Sequence, residues 1–132
     1  MSSVAATPEL ITRKGHERLS AELARLRGTR PHGDGDALDR RIAELEVTLA
    51  HVQIAPPPQL GVAGIGQPIR IRIGGGGSRD CRLVGAAEAD PAIGDISVVS
   101  PIGGALVGRR AGDVVEVLTP GGVRAVELIS VG

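Results

Sequence analysis

The sequence predicts an α+β chain: an N-terminal antiparallel helical hairpin, then a small twisted antiparallel sheet that carries one short helix. Three observations lead there. Apolar residues before Ala55 recur at spacings of four and three, Pro56-Pro57-Pro58 interrupts them, and short β-branched stretches alternate with polar residues beyond it. The expected boundaries are a helical hairpin over 1–54, a Pro-rich linker over 55–61 and a globular domain over 62–132.

The first helix has Thr12 as its N-cap, and Leu19, Leu23 and Leu26 form its apolar stripe. The breaker-rich stretch from Gly28 to Gly35 must turn the chain. Asp36 caps a second helix, where Leu38, Ile42, Leu45, Leu49 and Val52 alternate by four and three. Two such stripes joined by a short loop bury their apolar faces against each other. Arms of about 15–18 residues would project roughly 22–27 Å. The three prolines that follow cannot continue a helix and favour an extended, semi-rigid spacer.

In the second half Ile69, Ile71 and Ile73 alternate with Arg70 and Arg72, the pattern of a strand with one buried and one wet face. Gly74–Gly77 is a hairpin tip, lacking the lysine and the strand-to-helix setting of a phosphate loop. Arg82-Leu83-Val84 begins the returning strand, and Ile96–Val99 is another. Ser100-Pro101 starts a helix, with the serine as cap and the proline where its missing N–H is harmless. Ile102, Leu106 and Val107 supply its apolar face, and Gly108 closes it in the left-handed conformation. A last hairpin joins Asp113–Leu118 to Val123–Val131 through Thr119-Pro120-Gly121-Gly122, which suits a type II turn.

Composition narrows the function. Val, Ile and Leu supply 37 of the 132 residues, enough for a packed core. There is no Trp, Tyr or Phe, which excludes aromatic cages, base-stacking platforms and ring-lined proline pockets. Fifteen basic residues balance fifteen acidic ones, and the balance holds on each side of Ala55, so no strong direct nucleic-acid binding is expected. The lone Cys81 excludes an internal disulfide and, with three scattered histidines, a Cys/His zinc site; a reducing cytoplasm fits. The opening MSSVAATPEL has no charged or apolar leader region and no apolar run nears 18 residues, so neither a signal peptide nor a membrane span is expected.

The stretch Ile96-Ser97-Val98-Val99-Ser100-Pro101-Ile102-Gly103-Gly104-Ala105-Leu106-Val107-Gly108 resembles the signature of the bacterial Gre transcript-cleavage factors. So do Ala111-Gly112-Asp113-Val114-Val115 and Thr119-Pro120-Gly121-Gly122, while Thr12, Gly15, Leu19, Glu22, Leu23 and Leu26 resemble the start of the Gre coiled coil. The resemblance implies an FKBP-like globular domain that grips the secondary-channel rim of bacterial RNA polymerase, here through Val99, Ser100, Pro101 and Ile102. It also implies a coiled coil that enters the channel and brings two tip carboxylates to the catalytic magnesium. His32-Gly33-Asp34 is similar to the Gre tip triplet, but the second acid of the pattern falls at Ala37, with Asp36 and Asp39 out of register. The arms are several turns shorter than Gre arms. Short arms and Gly103 look more like the regulators of nucleoside diphosphate kinase, relatives that share the globular domain and carry a stunted coiled coil.

These residues suggest a cytoplasmic polymerase-binding elongation regulator with no catalytic residue, metal or cofactor of its own. The alternative is a true cleavage factor in which Asp34 and Asp36 hold a second magnesium at the polymerase. Against it, Asp34 reads more readily as a turn residue and Asp36 as a helix cap, and arms two to three turns short leave the tip ~10–15 Å away. A peptidyl-prolyl isomerase is a remote third reading, because that pocket is lined by rings this chain lacks. Arg109 and Arg110 read as solvated charges at a helix carboxyl end, and Cys81 as a small buried hydrophobe; His16, His32 and His51 have no metal spacing.

Overall fold

The computed structural model describes residues 9–28 and 36–132. Strand β1 (Glu9–Ile11) leads into helix α1 (Arg13–Gly28); helix α2 (Asp36–His51) leads into β2 (Val52–Ile54). Then come β3 (Pro68–Ile73), β4 (Ser78–Val84), a 3₁₀ turn (Pro91–Ile93), β5 (Asp95–Ser97), α3 (Pro101–Leu106), β6 (Val114–Thr119) and β7 (Gly122–Val131).

The helices bury the stripes that periodicity marked. Leu19, Leu23, Ile42 and Leu45 are buried together, with Leu26, Leu38 and Leu49 packed at their edge. Each fully buried Leu or Ile contributes about 1.5–3 kcal/mol relative to exposure. Thr12 caps α1 as expected: its Oγ1 accepts from the Gly15 N–H at 2.9 Å. Between the helices the Glu22 carboxylate receives both Arg41 Nε and a terminal Arg41 nitrogen at 2.9 Å. The bidentate hydrogen bond, reinforced by the guanidinium charge, holds the Glu22 carboxyl below its ordinary pKa.

Two strands precede Pro56 where none was expected. β1 and β2 pair in parallel, Glu9 with Val52 and Ile11 with Ile54, and the Ala55 N–H continues the pairing to the Ile11 carbonyl at 2.8 Å. Val52 therefore leaves the helical stripe for a strand. The driving force is Ile11, which the strand pair holds fully buried at the foot of the hairpin.

The second half is a five-stranded sheet in the order β5-β4-β3-β7-β6. Its inner face carries Ile69, Ile71, Leu83, Val117, Val126 and Leu128, and Leu106 of α3 caps them with no exposed surface. The wet face of β3 does more than meet water: Arg70 pairs with Asp80 across β4 at 2.9 Å, and Arg72 with Glu127 of β7 at 3.1 Å. The Arg70 hydrogen bond, and then its charge, hold the Asp80 carboxyl below its ordinary pKa.

Two details differ from expectation. The sheet is mixed, because β5 lies parallel to β4. Parallel neighbours need a crossover, and residues 85–94 provide one through a 3₁₀ turn in which Asp90 accepts from the Ala92 N–H at 3.1 Å. The β6–β7 turn is not type II, since the left-handed residue is Gly122 (φ +110°) and not Gly121. The Thr119 hydroxyl donates to the Gly122 carbonyl at 2.8 Å and closes that turn from the side. Gly108, by contrast, takes the expected left-handed φ of +87° at the end of α3.

Candidate functional site

The residues singled out from the sequence converge at the junction of β5 and α3. β5 ends at Ser97, the Val98 N–H still reaching the Val84 carbonyl at 2.9 Å, and the chain then leaves the sheet. Ser100 sits at the N-cap with an extended backbone. Its Oγ accepts from the Gly103 N–H at 3.1 Å and donates to the Ser97 carbonyl at 2.7 Å. A second tie runs backwards: the Val99 N–H donates to Ser97 Oγ at 3.2 Å. The cap is thus held from both sides by Ser97.

That bracing leaves Val99 standing outward, 74% exposed, next to exposed Pro101. Ile102 is different. It is half-buried, as Ser100 is, and packs against the sheet core, which leaves Val99 and Pro101 as the exposed pair of the four. Proline at the first helical position keeps φ preset and loses no hydrogen bond.

Beside the cap lies a groove of about 400 Å³. Ile96, Pro101 and Ile102 form one wall, Ala89 and Pro91 another, and Pro120 of the β6–β7 turn reaches in. Arg79 and Asp95 are its charged members. The surface of this open groove is mostly apolar.

The close packing explains Gly103. A Cβ there would lie 1.9 Å from the Ser97 carbonyl oxygen and 2.8 Å from its carbon, so no larger residue fits while Ser97 braces the cap. Its neighbour Gly104 is exposed, and a Cβ on it would meet only the Val98 carbonyl oxygen at 3.5 Å.

The tip acids are another matter. Asp34 lies outside the described residues; Asp36 is the first residue of α2, and its side chain, expected to cap the helix, also lies outside them. His32 and Ala37 bracket the same region: His32 is outside the described residues and Ala37 is exposed on the first turn of α2. Cys81 is buried on β4, and burial pushes its thiol pKa up, which suits a packing residue. No helix of the described residues is long and apolar enough to cross a membrane.

A buried charged residue that sequence reasoning did not single out is Glu88. It is 5% exposed, the buried charged residue among those described. Its carboxylate accepts from the Gly85 N–H at 2.9 Å and the Thr12 N–H at 2.6 Å, and also from the Thr12 hydroxyl. Its one sequence signal was Gly15, part of the coiled-coil resemblance, whose missing side chain makes room for it.

The fold thus joins a helical hairpin to a five-stranded sheet whose β5–α3 junction is a capped, outward-facing turn. Known proteins sharpen that description. Residues 57–132 match the family model described as Transcription elongation factor, GreA/GreB, C-term. Transcription elongation factor GreA of Paracoccus denitrificans is 31% identical, with 92% of this chain and 95% of the relative aligned. GreA of Chloroflexus aggregans is 34% identical over 94% of this chain and 97% of the relative. A solved GreA/GreB factor from Nitrosomonas europaea covers 95% of this chain at 26% identity, with a TM-score of 0.48. The chain belongs to the GreA/GreB family of transcription elongation factors. The alignments to the first two relatives run over 148 and 152 positions against 132 residues here, so those relatives carry stretches that this chain lacks.

Proposed function

We propose that the protein is a cytoplasmic elongation regulator that docks on RNA polymerase at the rim of the secondary channel and does not stimulate transcript cleavage. The observation that carries the docking surface is the braced turn: Val99 exposed at 74%, Pro101 beside it, and an apolar groove behind. Burying an apolar side chain that the free protein already holds rigid incurs little ordering entropy on binding. The hairpin is the reason for denying cleavage. Sixteen-residue helices reach about 24 Å, and the longer GreA relatives contain residues that this chain does not. A second carboxylate is also missing where the family tip would carry it, at Ala37. In this reading the chain is not an enzyme, and the short hairpin acts by occupying or perturbing the channel entrance.

The test has two arms, both using the organism's core polymerase and the full chain. Val99→Asp with Pro101→Asp changes exposed side chains only, and an Asp at the first helical position favours the helix. Loss of an apolar anchor costs about 2 kcal/mol or more, so affinity should fall roughly 30-fold. Binding equal to the parent would place the docking surface elsewhere. The second arm supplies backtracked complexes, Mg²⁺ and saturating protein, and the cleavage rate should stay at its intrinsic value. A raised rate that Asp34→Ala plus Asp36→Ala abolishes would restore the cleavage-factor reading.

A further inference from the structure

We infer that Glu88 is a positioning residue: with Thr12, Gly15 and Gly85 it forms a rigid joint that sets the direction in which the helical hairpin leaves the sheet. The covalent connection alone does not do this. Residues 55–59 form no strand or helix, and Leu60 is 97% exposed, so the linker side offers little packing. The orientation is instead set by contacts from the crossover loop after β4.

Three groups converge on one carboxylate. From the hairpin, the Thr12 N–H donates to Glu88 Oε2 at 2.6 Å and the Thr12 hydroxyl donates to Oε1. From the loop itself, the Gly85 N–H donates to Oε2 at 2.9 Å. The same Thr12 oxygen caps α1 by accepting the Gly15 N–H, so the first turn of the helix is tied through one hydroxyl to the sheet half. Arg18, one turn on, donates to the Glu88 backbone carbonyl at 3.0 Å. Charge-assisted bonds of this kind are short and strong, and unpaired donors in a buried setting are heavily penalised. Opening the joint would break the three bonds that cross it at once, those from the Thr12 N–H, the Thr12 hydroxyl and Arg18.

Steric fit repeats the message on both sides. A Cβ on Gly15 would sit 1.9 Å from Glu88 Oε1, and one on Gly85 would sit 2.0 Å from the Leu10 carbonyl oxygen of β1. Ala87, between the two loop positions, packs into the core of the hairpin. The two halves approach through glycines because nothing larger lets the carboxylate reach. Such an all-or-none contact has one closed arrangement rather than a range of angles.

The direction of the hairpin is a property of the free protein; its use, presenting the hairpin correctly while β5–α3 docks, rests on the proposed polymerase reading. The experiment therefore omits polymerase, and failure of docking leaves it intact. Spin labels at Val47→Cys on α2 and Val123→Cys on β7, both at exposed positions, are introduced in a Cys81→Ala background of the full chain. The parent should give one narrow inter-label distance distribution. Gly15→Ala, which wedges the joint without removing a polar group, should broaden or shift it by several ångströms, and Glu88→Ala should do the same. Adding Gly15→Ala to Glu88→Ala should add little, because the clashing carboxylate is gone and only the retained Cβ, 3.0 Å from the new methyl, must yield by a few tenths of an ångström. Distributions as narrow as the parent's in both single variants would overturn the inference. So would an undiminished effect of Gly15→Ala in the Glu88→Ala background. If Glu88→Ala loses its helical circular dichroism, Thr12→Val is read instead: it removes the hydroxyl and keeps the shape. Broadening there supports the joint, and an unchanged distribution refutes it.

Discussion

Gly103→Ala and Gly104→Ala are adjacent, chemically identical changes in the same short helix, and they should have opposite signs. At Gly103 the new methyl would lie 1.9 Å from the Ser97 carbonyl oxygen and 3.0 Å from Ser100 Oγ. The Ser97 carbonyl cannot swing aside as a flexible side chain would. It accepts the Ser100 hydroxyl at 2.7 Å and the Ser100 N–H at 3.0 Å, so a retreat stretches both bonds. Overpacking costs about 1–3 kcal/mol, and with two hydrogen bonds at stake the loss should be about 2–3 kcal/mol. At Gly104 the methyl meets ordinary contact at 3.5 Å and the backbone is not left-handed. There alanine restricts the unfolded chain and favours the helix, a gain of about 0.5–1 kcal/mol. The absence of aromatic residues rules out intrinsic fluorescence, so native-state hydrogen exchange is the suitable assay. Suitable reporters are the amides of Leu83, bonded to the Gln67 carbonyl at 3.1 Å, and Leu128, bonded to Asp113 at 2.9 Å. Gly103→Ala should speed their slowest exchange roughly 30- to 140-fold, and Gly104→Ala should slow it roughly two- to fivefold. Equal protection in the two variants, or the same sign for both, would refute the steric account of the braced cap.

The remaining expectations are simpler. Ile71→Ala, at a fully buried position in the central strand, should cost about 2–5 kcal/mol by urea denaturation followed by circular dichroism. Leu118→Ala, 72% exposed on the edge strand, should stay within about 0.5 kcal/mol; a similar loss at both would mean the sheet core is misplaced. Because the Arg41 hydrogen bond lowers the Glu22 carboxyl pKa in the folded hairpin, its stabilisation is present above the ordinary carboxylate range and fades as pH falls through the lowered value. Glu22→Gln should therefore cost up to about 1 kcal/mol at neutral pH and nothing at strongly acid pH, where both forms are neutral. A penalty that persists unchanged in acid would show that the charge is not the cause.

Features governed by residues within one helical turn or a strand's alternation were legible in the sequence. The stripes Leu19-Leu23-Leu26 and Leu38-Ile42-Leu45-Leu49 bury as their spacing requires. Thr12 and Ser100 cap, and Ile69 and Ile71 face inward, because capping and alternation depend on neighbours a few residues away. The resemblance to the Gre signature is local too, and the family model matches residues 57–132. It did not reveal that Ile102 turns inward, since exposure depends on which core the helix meets.

What needed the folded chain is everything joined across long separations. β5 runs parallel to β4 because a ten-residue crossover brings it back, and alternation in a three-residue strand carries no sign of direction. β1 finds β2 more than forty positions away, where three residues each are too short to show a period. Glu88 meets Thr12 across 76 positions. In sequence it is one of fifteen acids; in the structure it is a carboxylate 5% exposed, with Gly15 and Gly85 cleared for it. Short-range patterns are set by backbone geometry, which repeats along any chain. Long-range partners are chosen by packing and by the need to satisfy buried polar groups, and those conditions exist only once the two halves have met.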